Sequence, residues 1–196
     1  MTRPRGRPPR ADAPVSRDEM LTAALTLLDG EGVEAFTMRA LAKRLNVNPM
    51  TIHHHFGGRD GLIGAMTERV HARVSAPQEG TATERIRGLL KAYHAQVLLH
   101  PGLTMLIFSR PAVFPEQAKR ITEEISALLA KAGLPDRKRR LWLDILVDVT
   151  HGAALATAMA GRKAVDDPAG DQGYGAALDE LLSCLGDEAA LRAERG

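Results

Sequence analysis

The feature that most limits the fold of this chain is a helical pattern that begins near residue 16 and persists through the rest of the sequence. Apolar residues recur at intervals of three and four, and glycine or proline separates the successive stretches. No alternating run of β-branched residues, bounded by tight-turn dipeptides, indicates a β-strand. The sequence therefore predicts an all-α protein.

The start of the first helix is marked by a capping box. The side chain of Ser16 can accept a hydrogen bond from the backbone three residues on, and Glu19 can accept one from the backbone N–H of Ser16. We expect Gly30 and Gly32 to end this helix, because glycine is the usual residue just beyond a helix C-terminus.

Eight further helices are predicted along the chain. They cover residues 37–45, 48–54, 59–74, 83–99, 103–109, 115–132, 136–160 and 174–185. The helix at 59–74 would join a small N-terminal domain to a larger one. The predicted organisation is thus a flexible arm at 1–15, a small helical domain at 16–60 and a larger helical domain at 61–196.

The first 15 residues differ in composition from the rest. They hold four of the eleven prolines, which cannot occupy a helix interior. Residues 1–10 carry four arginines and no acidic residue, whereas basic and acidic residues balance over 61–196. A short arginine arm is typical of a segment that binds a polyanion. A disordered solubilising tail is the alternative.

The stretch from Thr37 to Phe56 has the spacing of a helix-turn-helix. Ala42 is small at the point where two helices would cross, so their backbones can approach closely. Asn46, four residues on, lies at a sharp turn that needs left-handed backbone, and asparagine adopts that conformation most readily after glycine. Ile52 follows six residues later as a β-branched core residue. In this motif the second helix enters the DNA major groove.

Residues 16–62 resemble the DNA-binding domain of the TetR family of bacterial transcriptional regulators. The matching residues are Ala23-Ala24-Leu25, Gly32, Thr37, Leu41-Ala42, Val47, Thr51-Ile52, His55-Phe56, Arg59 and Leu62. The resemblance implies an N-terminal three-helix domain followed by a larger helical domain for dimerisation and ligand binding. It also implies a ligand-responsive repressor that releases a palindromic operator in double-stranded DNA.

The predicted DNA contacts centre on the start of the second helix of the motif. Asn48 is placed to bond an adenine edge, and Met50 and Thr51 to touch thymine methyl groups. The whole predicted set is Arg5, Arg7, Thr37, Arg39, Asn48, Pro49, Met50, Thr51, His53, His54 and Arg59. The family usually has a phosphate-contacting tyrosine where this chain has His53, and a lysine where it has Arg59.

The run Arg5-Gly6-Arg7-Pro8 resembles the core of an AT-hook. Glycine would let the backbone approach the floor of the minor groove, and proline would keep the chain extended. The two arginines would then insert into a narrow, negative minor groove.

The larger domain is predicted to form a homodimer, because a single recognition helix contacts only a few base pairs. The predicted interface residues lie on the last two long helices and are Leu143, Val147, Leu155, Leu178, Leu181 and Leu182. The alternative is that these apolar stripes form internal core.

An effector pocket is implied by the resemblance, and the effector is expected to be a small apolar or amphipathic molecule. The predicted pocket residues are Tyr93, His94, Met105, Phe108, Trp142 and His151. Each of them would fit plain core equally well.

Two other functions stay open on the sequence. An architectural DNA-binding protein would need no effector. A helical metal-binding protein would use Asp144, Asp148 and His151, which share one helix face. Pairing of that stripe with Arg139 or Arg140 is the simpler interpretation.

Several classes of protein are not indicated. No nucleophile elbow, phosphate-binding glycine loop or HExxH motif suggests an enzyme, and no cofactor is expected. The single cysteine, Cys184, fits a reducing compartment. With no uninterrupted apolar run near the ~18 residues of a membrane span and no apolar signal segment, the predicted location is the cytoplasm, without a membrane partner.

Overall fold

The computed structural model describes residues 14–110, 115–161 and 168–193. Over these ranges the chain forms nine α-helices and no β-strand, which confirms the all-α prediction. The helices are α1 (Arg17–Ala35), α2 (Met38–Leu45), α3 (Pro49–Phe56), α4 (Arg59–His71), α5 (Ala82–Leu99), α6 (Pro101–Phe108), α7 (Glu116–Lys131), α8 (Asp136–Met159) and α9 (Pro168–Ala193).

The capping box at the start of α1 is present as predicted. The Ser16 hydroxyl accepts from the backbone N–H of Glu19 at 3.2 Å, and the Glu19 carboxylate accepts from the backbone N–H of Ser16 at 2.7 Å. The prediction that Gly30 and Gly32 end the helix is confirmed at Gly32, where the backbone leaves helical geometry with φ 81° and ψ 176°; a short further helical segment then runs to Ala35. Gly30 does not end the helix. A single glycine inside a helix costs only about 1 kcal/mol, which packing against the core can offset.

Two later helices also differ from their predicted bounds. α6 begins at Pro101 rather than after Gly102, because proline is well suited to the first position of a helix, where no N–H is needed. α9 begins at Pro168 and so is longer than the predicted 174–185.

Two hydrophobic cores organise the helices. The first buries side chains of α1 to α4 together with Leu103 and Leu106 of α6. The second joins α5, α7, α8 and α9 around residues such as Leu89, Ile125 and Leu146. α6 thus packs into the N-terminal core although it lies 45 residues beyond α3 in the sequence.

Candidate nucleic-acid interface and internal cavity

The turn between α2 and α3 has the left-handed backbone that the sequence predicts. Asn46 ends α2 with φ 53° and ψ 43°, and it is the one non-glycine residue with positive φ among those described. The N–H of Val47 donates to the carbonyl of Ala42 at 3.0 Å and closes the turn. Ala42 is 1% exposed at the contact between the helices. Together these features hold α3 at a fixed angle to α2.

Both helices of the motif have side-chain caps. The Thr37 hydroxyl accepts from the backbone N–H of Ala40 at 3.0 Å, and Asn48 Oδ1 accepts from the backbone N–H of Met50 at 2.9 Å. Asn48 therefore uses its side-chain oxygen to start α3. The bidentate bond that asparagine forms with adenine needs that oxygen as well as the amide nitrogen, so the capped side chain is not arranged for it.

Most of the predicted DNA contacts are exposed. The exposed residues are Thr37, Arg39, Asn48, Pro49, Met50, His53 and His54. Met50 is 56% exposed. Thr51 and Arg59 are half-buried, and Arg5 and Arg7 lie outside the described residues.

Arg59 packs at the base of this surface. Its guanidinium carbon lies 5.9 Å from the ring centre of Phe36, and its Nε atom is buried without a hydrogen-bond partner. The stem of Arg59 thus belongs to the first core, and only the end of the side chain can reach a phosphate.

An internal cavity of about 90 Å³ lies between α4, α5, α6, α7 and α8. Its lining residues are Thr67, His71, Tyr93, Thr104, Ile107, Phe108, Ala118, Ile121, Thr122, Val147 and His151. The lining includes three of the six residues predicted for the pocket, namely Tyr93, Phe108 and His151.

The other three predicted pocket residues lie elsewhere. His94 is buried in a stack on Tyr174, with ring centres 4.0 Å apart. Trp142 packs in the second core, and Met105 is 48% exposed on α6. The sequence does not distinguish these residues from those of the cavity wall, because aromatic and apolar side chains on a helix serve a core and a pocket equally well.

Three aromatic rings of the cavity wall contact one another in a row. The Tyr93 hydroxyl lies 2.7 Å from Nε2 of His151, and the edge of Phe108 faces the His151 ring with centres 5.0 Å apart. Burial raises the pKa of Tyr93 to about 12 and lowers the pKa of His151. Both groups are therefore neutral near pH 7.

His71 is a cavity residue that the sequence reasoning missed. Its Nδ1 lies 3.1 Å from the Thr67 carbonyl, and burial lowers its pKa to about 4. The detectable signal was that Ile63, Thr67 and His71 recur every four residues and so share the inner face of α4.

The stripe considered for a metal does not converge. Asp144 pairs with Arg140 at 3.1 Å, which is the simpler interpretation made from the sequence. Asp148 is exposed on α8, while His151 turns towards Tyr93. Among the described residues, no group of three or more potential metal ligands comes together.

Two of the residues predicted for a dimer interface are internal. Leu178 and Leu182 are 1% and 4% exposed within a single chain, because they form the buried stripe of α9 in the second core. Leu143, Val147, Leu155 and Leu181 are half-buried.

The helix α8 is fully buried at few positions. By length and composition it could cross a membrane, yet only 22% of its most apolar 18-residue window is buried, and most of its other apolar residues are half-buried. Leu141 and Met159, near its two ends, are 51% and 84% exposed, and Asp144 and Asp148 are exposed between them.

Comparison with known proteins gives one family match. The family described as "Bacterial regulatory proteins, tetR family" matches residues 20–66, which cover α2, α3 and most of α1 and α4.

Relatives extend the match beyond this segment. An HTH-type transcriptional regulator of Saccharopolyspora erythraea is 30% identical over 121 residues, which are 61% of this chain and 51% of that protein. The chain thus spans about half the length of this relative. The tetracycline repressor protein class E of Escherichia coli is 27% identical over 148 residues, which are 73% of this chain and 69% of that protein.

A solved structure shares the fold. The crystal structure of the Streptomyces coelicolor TetR family protein ActR in complex with actinorhodin is 22% identical, with a TM-score of 0.71. The match covers 90% of this chain and 99% of that one. The N-terminal helix-turn-helix and the larger helical part are therefore arranged alike in the two proteins.

Proposed function

Because this chain belongs to the TetR family of bacterial regulatory proteins, we propose that it is a homodimeric transcriptional repressor of the cytoplasm. It binds a palindromic DNA operator and leaves it when a small molecule enters the internal cavity. The domains are a basic arm at 1–15, a DNA-binding domain at 16–60 and an effector and dimerisation domain at 61–196. It has no catalytic role and no cofactor.

The observation that carries this proposal is the geometry of α2 and α3. The turn at Asn46 and the cap at Asn48 fix α3, and its first residues stand out from the protein surface. A helix presented in this way fits the major groove with its N-terminal residues at the base edges. Met50 is the most exposed large apolar side chain on it.

Footprinting on the DNA upstream of the protein's own gene tests the proposal. We expect protection of an inverted repeat with half-sites about one helical turn apart. Uniform coating of the DNA would instead indicate an architectural protein, and stoichiometric bound metal in the purified protein would favour the metal-binding alternative.

Met50 is expected to recognise a thymine methyl group. In an operator with uracil in place of thymine, wild-type protein should lose affinity about fourfold at the contacted position, since one buried methyl is worth about 0.8 kcal/mol. The Met50→Ala variant should bind both operators equally, with its stability within about 0.5 kcal/mol of wild type because the residue is exposed. Leu99→Ala, an exposed control on α5, should behave as wild type. If Met50→Ala loses as much affinity as wild type when uracil replaces thymine, Met50 does not contact the thymine methyl group.

The arginine arm is expected to contribute to affinity through phosphate and minor-groove contacts. Replacing Arg5 and Arg7 together with alanine should reduce the slope of log affinity against log salt concentration by about one to two units. Replacing Arg137 and Arg140, at the start of α8, removes the same charge far from the proposed DNA surface and should leave the slope unchanged. If the arm variant keeps the wild-type slope, the arm does not bind DNA.

The incompletely buried apolar residues of α8 support a homodimer. Burial of apolar surface drives association, and α8 carries Leu141, which is 51% exposed, and Leu155, which is half-buried and belongs to neither core, on one face. Two copies related by a two-fold axis would cover this face and would present two copies of α3 to successive major grooves.

The helix α6 offers a route from the cavity to the DNA-binding helices. Thr104, Ile107 and Phe108 line the cavity, while Leu103 and Leu106 on the same helix are buried in the first core. A ligand that repositions α6 therefore repositions the core on which α1 and α4 pack.

Polar contacts tie both ends of α6 to α1 and α4. His100 Nδ1 lies 2.8 Å from the Asp29 carboxylate of α1, and Arg110 pairs with Asp60 of α4 at 2.8 Å. The ligand acts on DNA affinity only if it binds the two arrangements of α6 unequally. That ActR was crystallised with actinorhodin supports a ligand-binding role for the corresponding part of this chain.

A further inference from the structure

His71, a residue of the cavity wall, has a ring nitrogen without a partner. The residue is 5% exposed, and its Nε2 atom is buried with no hydrogen-bond partner in the part of the chain that the structure describes. The other described side chains with such an atom do not line this cavity. An unpaired buried polar atom is unfavourable by about 1–3 kcal/mol, so it favours a ligand that pairs with it.

The hydrogen-bonding role of this atom is fixed by the opposite side of the ring. Nδ1 lies 3.1 Å from the Thr67 carbonyl, which only accepts hydrogen bonds, so Nδ1 carries the proton. Burial lowers the pKa of His71 to about 4, although the hydrogen bond to the Thr67 carbonyl acts in the opposite direction. In the neutral ring Nε2 holds a lone pair and needs a donor.

Three of the polar groups that line the cavity with His71 are already engaged. The Tyr93 hydroxyl is paired with His151, and the hydroxyls of Thr67 and Thr122 donate to carbonyls of their own helices at 2.9 and 3.1 Å. The rest of the described lining is mainly apolar, and it contains no lysine, arginine or carboxylate. A charged ligand would therefore find no counter-ion in the wall.

We propose that the effector is a compact, largely apolar molecule with one neutral hydroxyl, of which a phenol is the simplest, and that this hydroxyl donates to His71 Nε2. An apolar protein cavity of roughly 150 Å³ holds benzene, and this one has about 90 Å³, so a single ring is the largest group that it takes and the cavity must widen to admit it. The inference rests on the proposed function only in naming the molecule an effector.

Titration calorimetry on the full chain with three methylbenzene probes, which differ in the group opposite the methyl, tests the proposed hydrogen bond to His71. The probes are p-cresol, toluene and p-methylbenzoate, at about pH 7.5, where a phenol with a pKa of about 10 is neutral. We expect p-cresol to bind about tenfold more tightly than toluene, the effect of one hydrogen bond to a buried acceptor, and p-methylbenzoate to bind most weakly. Equal affinities, or no binding of p-cresol up to its solubility, overturn the proposal.

Variants locate the preference at one atom. His71→Leu removes the acceptor and should bind p-cresol and toluene equally. His71→Gln supplies an amide oxygen and should retain part of the preference. Thr26→Val removes a hydroxyl that is likewise bonded to its own helix but lies outside the cavity, and it should behave as wild type. An unchanged preference in His71→Leu overturns the proposal, and if that variant does not fold, the three probes on wild-type protein still decide.

Operator release is measured separately, so that the two proposals fail separately. A p-cresol preference that depends on His71, in a protein that binds no operator, supports this inference and contradicts the proposed repressor. Operator binding without any p-cresol preference supports the repressor and overturns this inference.

Discussion

Replacing Gly61 with alanine is expected to disrupt the packing of α3 against α4 and to abolish operator binding. An added Cβ would lie 1.7 Å from the carbonyl oxygen of Phe56 and 2.9 Å from its carbonyl carbon. Both are backbone atoms at the end of α3, so no side-chain rotation relieves the overlap. We expect a loss of at least about 3 kcal/mol in the free energy of unfolding, at the upper end for forced insertion into a packed site.

The matched control for this change lies one turn along the same helix. Gly64 is inside α4, and an added Cβ there meets nothing within 4 Å. Gly64→Ala should therefore stabilise the protein by up to about 1 kcal/mol, the difference in helix propensity. Urea denaturation and operator binding of both variants check the pair. A Gly61→Ala protein with wild-type stability and affinity would mean that the α3–α4 junction differs from the one described here.

A charged residue in the exposed face of α8 is expected to dissociate the proposed dimer. Leu155 is half-buried and belongs to neither core of the single chain. In Leu155→Glu a two-fold interface would bury two unpaired carboxylates, each of which costs several kcal/mol. We expect the dimer dissociation constant to rise at least about a hundredfold, equivalent to about 2.7 kcal/mol, and operator affinity to fall with it.

Analytical ultracentrifugation and operator titration of the same samples measure this effect. Ala127→Glu places the same charge on an exposed position of α7 and should remain dimeric. If Leu155→Glu also stays dimeric, α8 does not form the interface. If wild-type protein is a monomer at micromolar concentration and binds its operator as one, the two-fold account of recognition is wrong.

The N-terminal helices were predictable because local contacts define their ends. Ser16, Thr37 and Asn48 cap helices through bonds to backbone atoms two or three residues away. The left-handed turn at Asn46 is likewise a property of one residue and its neighbours. Such signals need no knowledge of the rest of the fold. The short helical segment after Gly32 is the exception, because whether a chain resumes a helix beyond a glycine depends on what the following residues pack against.

The cavity was less predictable because its walls come from five helices. His94 and His151 are both histidines on largely apolar helices, yet one stacks inside the core and the other lines the cavity. The two histidines differ only in the residue, distant in sequence, that each contacts. His94 contacts Tyr174, and His151 contacts Tyr93. His71 was missed for the same reason, since its burial depends on packing from other helices.

Apolar stripes on α8 and α9 were ambiguous between core and interface. Leu178 and Leu182 face the inside of the chain, whereas Leu141 and Met159 are largely exposed. Helical periodicity identifies which residues share a face but not which neighbour covers that face. The position of α6, which packs in the N-terminal core, is likewise a tertiary property that no local pattern records.

The most direct test of DNA recognition by α3 is selection of binding sites from a random DNA pool by the purified protein, in parallel with Met50→Ala. The account predicts enrichment of an inverted repeat whose half-site centres lie about one DNA turn apart, with the Met50→Ala variant selecting a different base at one symmetric pair of positions. Two results would contradict the assignment of α3 as the recognition helix. In one, the wild-type protein enriches no sequence. In the other, wild type, Met50→Ala and Thr51→Ala all select the same sequence.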